Sequence, residues 1–325
     1  MPPMFDRPPR AGRVLLVLLS VALIATACSS PPPSPSPTPT PSPSPSPSPT
    51  PTPSPTPSPS PTPTPLNAEL LGRRVTVLVA GIDSNPDRAA RDMPINTDAM
   101  IVASVNAGHD RIAMVSLPRD TVDIPLAGGG VWPRKINSLF AAHGIKALQG
   151  ALQKAYGVPI DYYLTLNMTD FGALVDAVGG VDVDVPYALY DRTVKINLKE
   201  GMHHLDGNAA LSYVRTRHQD GDFARAGRQQ QVLMGIFEKL VDPKTKLDIG
   251  RLLGTFGSLK TNLPLVDLAT LREIGKRSAD AKVSRKVLGV GYARFMGIEP
   301  NSARGWIIIP NLPKMRAYVR SVMGD

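Results

Sequence analysis

Between residues 206 and 240 the chain reads DGNAALSYVRTRHQDGDFARAGRQQQVLMGIFEKL, which gathers Arg215, Arg217, Arg225, Arg228 and Gln229 around one short break between two helical patterns. Guanidinium at that density suits an anion, because its planar fork donates paired hydrogen bonds to phosphate or carboxylate oxygens. Arg225, Arg228 and Gln229 fall at i, i+3 and i+4 of a helix, and the stripe continues through Val232, Leu233, Ile236, Phe237 and Leu240. The first turns of that helix are expected to face charge and the later ones an apolar core. Arg215 and Arg217 close the preceding amphipathic segment and share a side only where the chain is extended, as at a helix end. The plainer reading is a solvated charged face, with Asp220 and Asp222 available as surface partners.

Carboxylates supply the second half of a site. The apolar run 75–80, ended by Gly81, reads as a buried strand, and Asp83 lies just past it. Asp98 opens the next strand pattern, 100–105, so both carboxylates reach one edge of a sheet if the two strands are neighbours. Magnesium takes one or two carboxylates and fills its other positions with water and substrate phosphate. Taken alone, the two aspartates read more readily as loop or capping residues. The third strand pattern, 112–117, runs out into Pro118-Arg119-Asp120, which adds an arginine and a further carboxylate where sheet-edge sites form. Lys135 contributes a point charge or is a surface lysine before a helix. Metal carboxylates beside an arginine cluster describe a pyrophosphate site, in which the donors stabilise charge developing on the leaving phosphate.

The elements that must position these groups follow from periodicity. Helical patterns occupy 136–143 and 145–156, and 162–166 reads as a strand. A helix over 169–178 stops at Gly179-Gly180, and another strand covers 181–185. Beyond Asp242 come helical stretches at 248–260 and 267–279, apolar runs at 287–290 and 306–309, and a last helix over 314–323. Strands interleaved with helices predict an α/β layered domain with a buried sheet.

The first thirteen residues hold Arg7, Arg10 and Arg13 against one aspartate, and the apolar run 14–27 ends in small residues before Cys28. That run is short for a membrane span of about 20 residues and suits the apolar region of an export signal. Cys28 is the only cysteine among 325 residues, which excludes an internal disulfide and a cysteine metal cluster. Its setting after LIATA resembles a bacterial lipobox, with Ala25 where leucine is usual, and makes Cys28 the expected lipidation site. An uncleaved signal anchor is the alternative. Either places the remainder outside the cytoplasm, anchored to the cell membrane.

Residues 31–65 alternate proline with serine or threonine, a composition that builds no core and favours polyproline II. At about 3.1 Å per residue such a spacer reaches roughly 100 Å through a thick envelope. The expected organisation is therefore a signal over 1–28, a disordered linker over 29–66, a catalytic domain over 67–242 and an extension over 243–325 packed upon it. The formal charge of +9 on an exported chain points to anionic envelope components and not to nucleic acid. His203 and His204 have no clustered ligands in sequence to make a metal site, and no nucleophile elbow supports a serine hydrolase. Trp132, after three glycines, is a candidate for contacting glycan.

At this point the motifs carry a family likeness. Asp83 in AGID, Asp98 in NTDAM, SLPRD at 116–120, Lys135 in KIN, VDAVGGVDVDVP at 175–186, LKEGMHHLDGNAALSYVRTR at 198–217 and DFARAGRQQQVL at 222–233 resemble, in order, the LytR-CpsA-Psr family of cell-wall ligases. The resemblance implies an α/β/α domain with a central mixed sheet and a hydrophobic tunnel for a prenyl chain, drawing on apolar residues between 162 and 178. It implies an enzyme that moves a glycopolymer from a polyprenyl (pyro)phosphate donor to a peptidoglycan hydroxyl, with slow hydrolysis as a side reaction. By position, Asp83 and Asp98 match the carboxylates for Mg2+ (or Mn2+), and Asp83 matches the group assisting the acceptor hydroxyl. Arg119 joins them as catalytic, while Lys135, Arg215, Arg217, Arg225, Arg228 and Gln229 match the pyrophosphate-binding set. Asn96 departs from the family pattern, which commonly has arginine there, and Arg91 is the nearby substitute. That departure keeps a second reading open, a non-catalytic lipoprotein that binds polyprenyl-linked glycopolymer.

Overall fold

A computed structural model of the protein describes residues 65–324 apart from positions 86, 88, 89, 92 and 94. The export signal with Cys28 and nearly all of the 29–66 linker lie outside the described residues.

After a short helix α1 (Ala68–Leu71), strands β1 (Val75–Ile82), β2 (Thr97–Val105) and β3 (Arg111–Ser116) run antiparallel, followed by a small hairpin of β4 (Ile124–Pro125) and β5 (Val131–Trp132). Helix α2 (Leu139–Tyr156), strand β6 (Tyr162–Leu166) and helix α3 (Met168–Ala177) come next. Then follow β7 (Val181–Val185), a hairpin of β8 (Leu189–Asp191) and β9 (Ile196–Leu198), β10 (Gly201–Leu205), and the helices α4 (Gly207–Arg215) and α5 (Gly221–Val241). The last third contains α6 (Ile249–Ser258), β11 (Lys260–Thr261), α7 (Leu268–Arg277), β12 (Lys282–Val287), a hairpin of β13 (Ala293–Ile298) and β14 (Trp306–Pro310), and α8 (Leu312–Met323).

The central sheet has the order β11-β6-β1-β2-β3-β12. β1 pairs in parallel with β6 and β3 with β12, and the other pairings are antiparallel, so the sheet is mixed. Alternation along β1 divides the core: Leu78 and Ala80 face the layer of α2 and α8, whereas Val79 faces α3, α4, α5 and α6. The result is the α/β/α arrangement expected. No helix among the described residues is long and apolar enough to cross a membrane.

Several boundaries match the residue pattern closely, including β6 and β7. The break between 143 and 145 is a kink inside α2, where Gly144 adopts φ 76°; only glycine takes that conformation without strain. The structure adds to two readings. The apolar run 287–290 forms the end of β12 and the following turn, with Leu288 buried, while the strand itself lies mostly earlier, in KVSRKV. An edge strand is held by backbone pairing to one neighbour, so its side chains need no apolar run. The extension 243–325 also does more than pack on the sheet, because β11 and β12 are its two edges.

Helix α5 is fastened to this sheet by a polar residue. Gln230, 2% exposed, donates from Nε2 to Ser116 Oγ at 2.8 Å and to Lys286 O at 2.9 Å, joining α5 to both β3 and β12. Deleting a buried donor of this kind costs about 1–3 kcal/mol. Gln230→Ala is therefore expected to lower the unfolding free energy by that amount, read as a lower urea midpoint with an unchanged slope; an unaltered midpoint would show that the anchor contributes nothing.

Candidate functional site

The site forms where β1, β2 and β3 end beside the first turn of α5. The register pairs Ile82 with Thr97, and the Asp83 amide donates to Asn96 O at 2.8 Å, so Asp83 and Asp98 sit at the same end of adjacent strands. Asn96, in the position that departs from the family pattern, thus spends its carbonyl on fixing Asp83.

Asp98 receives two guanidinium groups. Arg119 Nη1 donates to its Oδ1 at 2.8 Å. Arg225 places Nη1 3.6 Å from Oδ2 and donates from Nη2 to the Asp98 carbonyl at 3.1 Å. Arg225 is 4% exposed, and burial pulls its pKa down against the opposing charges of Asp222 and Asp98. For Arg119, burial also pulls downward, but its hydrogen bond to Asp98 and the nearby carboxylates win and the pKa rises.

Asp222 is the third centre of the cluster. Its Oδ1 lies 2.8 Å from Arg225 Nη2, 3.6 Å from Arg217 Nη1 and 3.7 Å from Arg119 Nε. Burial leaves Asp222 Oδ1, Arg119 Nε and Arg225 Nε without an aligned hydrogen-bond partner. Such atoms are rare in folded proteins and call for an explanation. Donors that are buried, charged and unspent fit a site that completes its hydrogen bonds on a phosphate.

Lys135 arrives by a separate route. Ile136 N donates to Thr121 O at 2.8 Å and Asn137 N to Arg119 O at 3.3 Å, which stitches the segment before α2 to the loop after β3. Lys135 Nζ then reaches Asp120 Oδ1 at 2.7 Å. Trp132, the candidate glycan contact, is instead a support for this segment: it is 9% exposed, donates from Nε1 to Lys135 O at 3.1 Å and meets the His143 ring edge to face.

Three members of the expected phosphate set are placed differently. Arg228 turns away from the cluster; it is buried, ion-paired with Asp220, and donates to Tyr213 O at 3.0 Å and Thr216 O at 2.5 Å. Its donors are consumed in holding the loop between α4 and α5. Gln229 faces Val214 O at 3.4 Å. Arg215 is exposed at the end of α4 and has no ion pair among the described residues, whereas Arg217, after the extended Thr216 (ψ 141°), joins the cluster. The apolar residues 162–178 also divide. Leu166, Leu174, Val175, Ala177 and Val178 are buried core, while Leu164 and Phe171 are half-buried against it.

Asp83 and Asp98 fit magnesium by count and by chemistry, since two carboxylates leave the remaining positions to water and phosphate oxygens. Among the described residues no group of three or more His, Cys, Asp or Glu is placed to hold a metal ion.

Residues that composition did not single out complete the site. Asp222 precedes Arg225 by three positions, a spacing that pairs side chains on a helix. Tyr187 hydrogen-bonds Asp220, and burial followed by that contact pushes its pKa up to about 12. Gly289, in the turn after β12, lies against the Phe223 ring, and a Cβ there would come within 2.0 Å of it. The last third of the chain thereby braces the first turn of α5.

The model of the LytR_cpsA_psr family matches residues 58–298. Polyisoprenyl-teichoic acid--peptidoglycan teichoic acid transferase TagU of Bacillus cereus (strain ATCC 14579) is 31% identical over 227 residues, which are 69% of this chain and 72% of that protein. A Staphylococcus aureus (strain NCTC 8325) protein is 37% identical over 184 residues, 54% of this chain, and the match spans only 45% of that relative's length. Among solved structures, TagT bound to LIIa-WTA has a TM-score of 0.60 at 25% identity, covering 79% of this chain and 93% of that one.

Arg228→Met strands the Asp220 carboxylate in a buried setting, and breaking such a pair costs about 3–5 kcal/mol; calorimetry should show the loss, and a wild-type melting temperature would contradict the assignment. The raised Tyr187 pKa contributes stability that is complete below the unfolded value near 10 and is lost as pH rises through about 12. Tyr187→Phe is expected to remove that alkaline limb from the stability profile.

Proposed function

Given that the chain belongs to the LytR_cpsA_psr family, we propose that it is an extracytoplasmic phosphotransferase that attaches a polyprenyl-(pyro)phosphate-linked glycopolymer to peptidoglycan. The observation that carries this reading is the convergence of Arg119, Arg217 and Arg225 at the sheet edge beside Asp98, with buried guanidinium donors still unspent. Relatives named as teichoic acid transferases and a solved relative holding LIIa-WTA support the substrate class.

Catalysis by such a site is positioning and charge compensation. Arg119, Arg217 and Arg225 bind the pyrophosphate oxygens and hold the scissile bond at the ends of β1, β2 and β3. Lys135, held by Asp120, supports the phosphate flank as a point charge. Asp83 stands at the strand end to accept the proton of the attacking sugar hydroxyl as it approaches in line. Magnesium held by Asp83 and Asp98 would neutralise charge on the departing polyprenyl phosphate. Water in the acceptor's place gives slow hydrolysis. Membrane anchoring through a lipid on Cys28 brings the domain to its lipid-linked donor, with the proline-rich segment as spacer.

The test is release of polyprenyl phosphate from a short polyprenyl-pyrophosphate-sugar donor by the full chain in phospholipid vesicles, with peptidoglycan supplied and magnesium present or chelated. Metal-dependent release is expected. Arg119→Ala is expected to reduce it by about 10²–10³-fold, the cost of removing one charge-stabilising donor, and Asp98→Ala, which removes a metal carboxylate and the partner that positions Arg119, is expected to abolish the metal dependence together with most of the activity. Donor that binds without release would instead support the non-catalytic binder.

A further inference from the structure

Asp222 presents an oddity that the proposed reaction does not use. One carboxylate oxygen is approached by the guanidinium nitrogens of Arg225, Arg217 and Arg119 at 2.8, 3.6 and 3.7 Å. A carboxylate built as a permanent partner makes aligned, bidentate bonds to arginine. This oxygen is buried and aligned with none of them, while Arg119 Nε and Arg225 Nε beside it are also buried and without an aligned hydrogen-bond partner. Asp222 therefore holds the arginines by charge alone, while Arg119 Nε and Arg225 Nε keep donors that no aligned acceptor takes. That combination marks the focus of an anion-binding cluster occupied by the wrong-shaped anion.

We infer that the Asp222 carboxylate is an internal stand-in for a phosphate oxygen, which holds Arg119, Arg217 and Arg225 together between turnovers and is displaced when the donor pyrophosphate enters. The inference rests on the function proposed above and adds to it a competing group within the chain. Asp222 lies in the first turn of α5, where its negative charge is favourable to the helix, so its side chain can leave the arginines and still be tolerated. Burying guanidinium with no counter-ion is costly, and the stand-in avoids that cost in the unliganded state. On product release the same carboxylate returns to the arginines and competes with polyprenyl phosphate for them.

Competition fixes the direction of the effect. If the cluster is free of Asp222 only part of the time, the apparent affinity for an anion is reduced by that fraction. Binding of inorganic pyrophosphate to the full chain in detergent, with EDTA present, should be measured by calorimetry for wild type, Asp222→Asn, Asp222→Ser and Asp120→Asn. The Asp222 variants are expected to bind about tenfold more tightly than wild type, corresponding to a cluster open about one-tenth of the time. Asp222→Ser keeps a small polar side chain in the first turn of α5 and serves if the amide variant does not fold. Asp120→Asn removes an equal charge that pairs with Lys135 and touches only one of the three arginines, Arg119 Nε at 3.9 Å, and is expected to shift affinity less. With the complete donor, Asp222→Asn should lower KM and also kcat, because product leaves more slowly.

Equal or weaker pyrophosphate binding by the Asp222 variants overturns the inference, as does absence of binding in every protein. Equal tightening by Asp120→Asn overturns it too, since the effect would then be one of general charge. Tighter binding without any donor turnover would leave the stand-in role supported and remove the phosphotransferase reading.

Discussion

The arrangement of this protein turns on burying a guanidinium. Arg225 is 4% exposed at the junction of α5 with the ends of β2 and β3, and a charge removed from water must be repaid by close partners. Asp98 and Asp222 provide them from two directions, a strand and the helix itself. The strand partner requires β2 to begin at the sheet edge, and the helix partner requires α5 to begin in front of it. The loop between α4 and α5 must therefore be held rigidly, and Arg228 with Asp220 does that beneath the site. Two arginines three residues apart thus divide the labour, one meeting Asp98 and Asp222 at the strand ends and one locking the loop.

The final third of the chain has a physical reason to be present. α5 is braced against the sheet by Gln230 through the backbone of β12, and its first turn is braced by Phe223 against Gly289. β12 itself is an edge strand whose only partner is β3, the strand that delivers Arg119. Placement of Arg119 relative to Arg225 is consequently set by contacts that pass through residues 230, 286 and 289, well beyond the motifs that carry the charges.

How much of this is legible in sequence differs by the kind of interaction. Apolar periodicity locates β1, buried on both faces, and β7, which alternates cleanly, and ordered charged motifs give the family. The edge strand β12 escapes, since KVSRKV carries neither signal and pairs through its backbone. The division between Arg225 and Arg228 also escapes: i and i+3 share a helix stripe, and only the loop geometry decides which one meets Asp98 and which meets Asp220. Trp132 shows the same limit. Three preceding glycines suggest an exposed ring, but the β4–β5 hairpin folds the indole inward onto the backbone of Lys135.

Charge balance at the site constrains what can enter it. Arg119, Arg217, Arg225 and Lys135 are matched by Asp98, Asp120, Asp222 and the neighbouring Asp83, so the unliganded cluster is close to neutral in its formal charges. A pyrophosphate cannot simply be added to such a set, because its negative charge would be buried without compensation. Entry has to bring a cation, release a carboxylate from the arginines, or both. The two aspartates at the strand ends suit the first route, and the misaligned carboxylate at the start of α5 suits the second. A cluster that is neutral when empty is thus stable without ligand, and its selectivity falls on anions able to supply the oxygens, and with a metal the charge, that displacement of Asp222 requires.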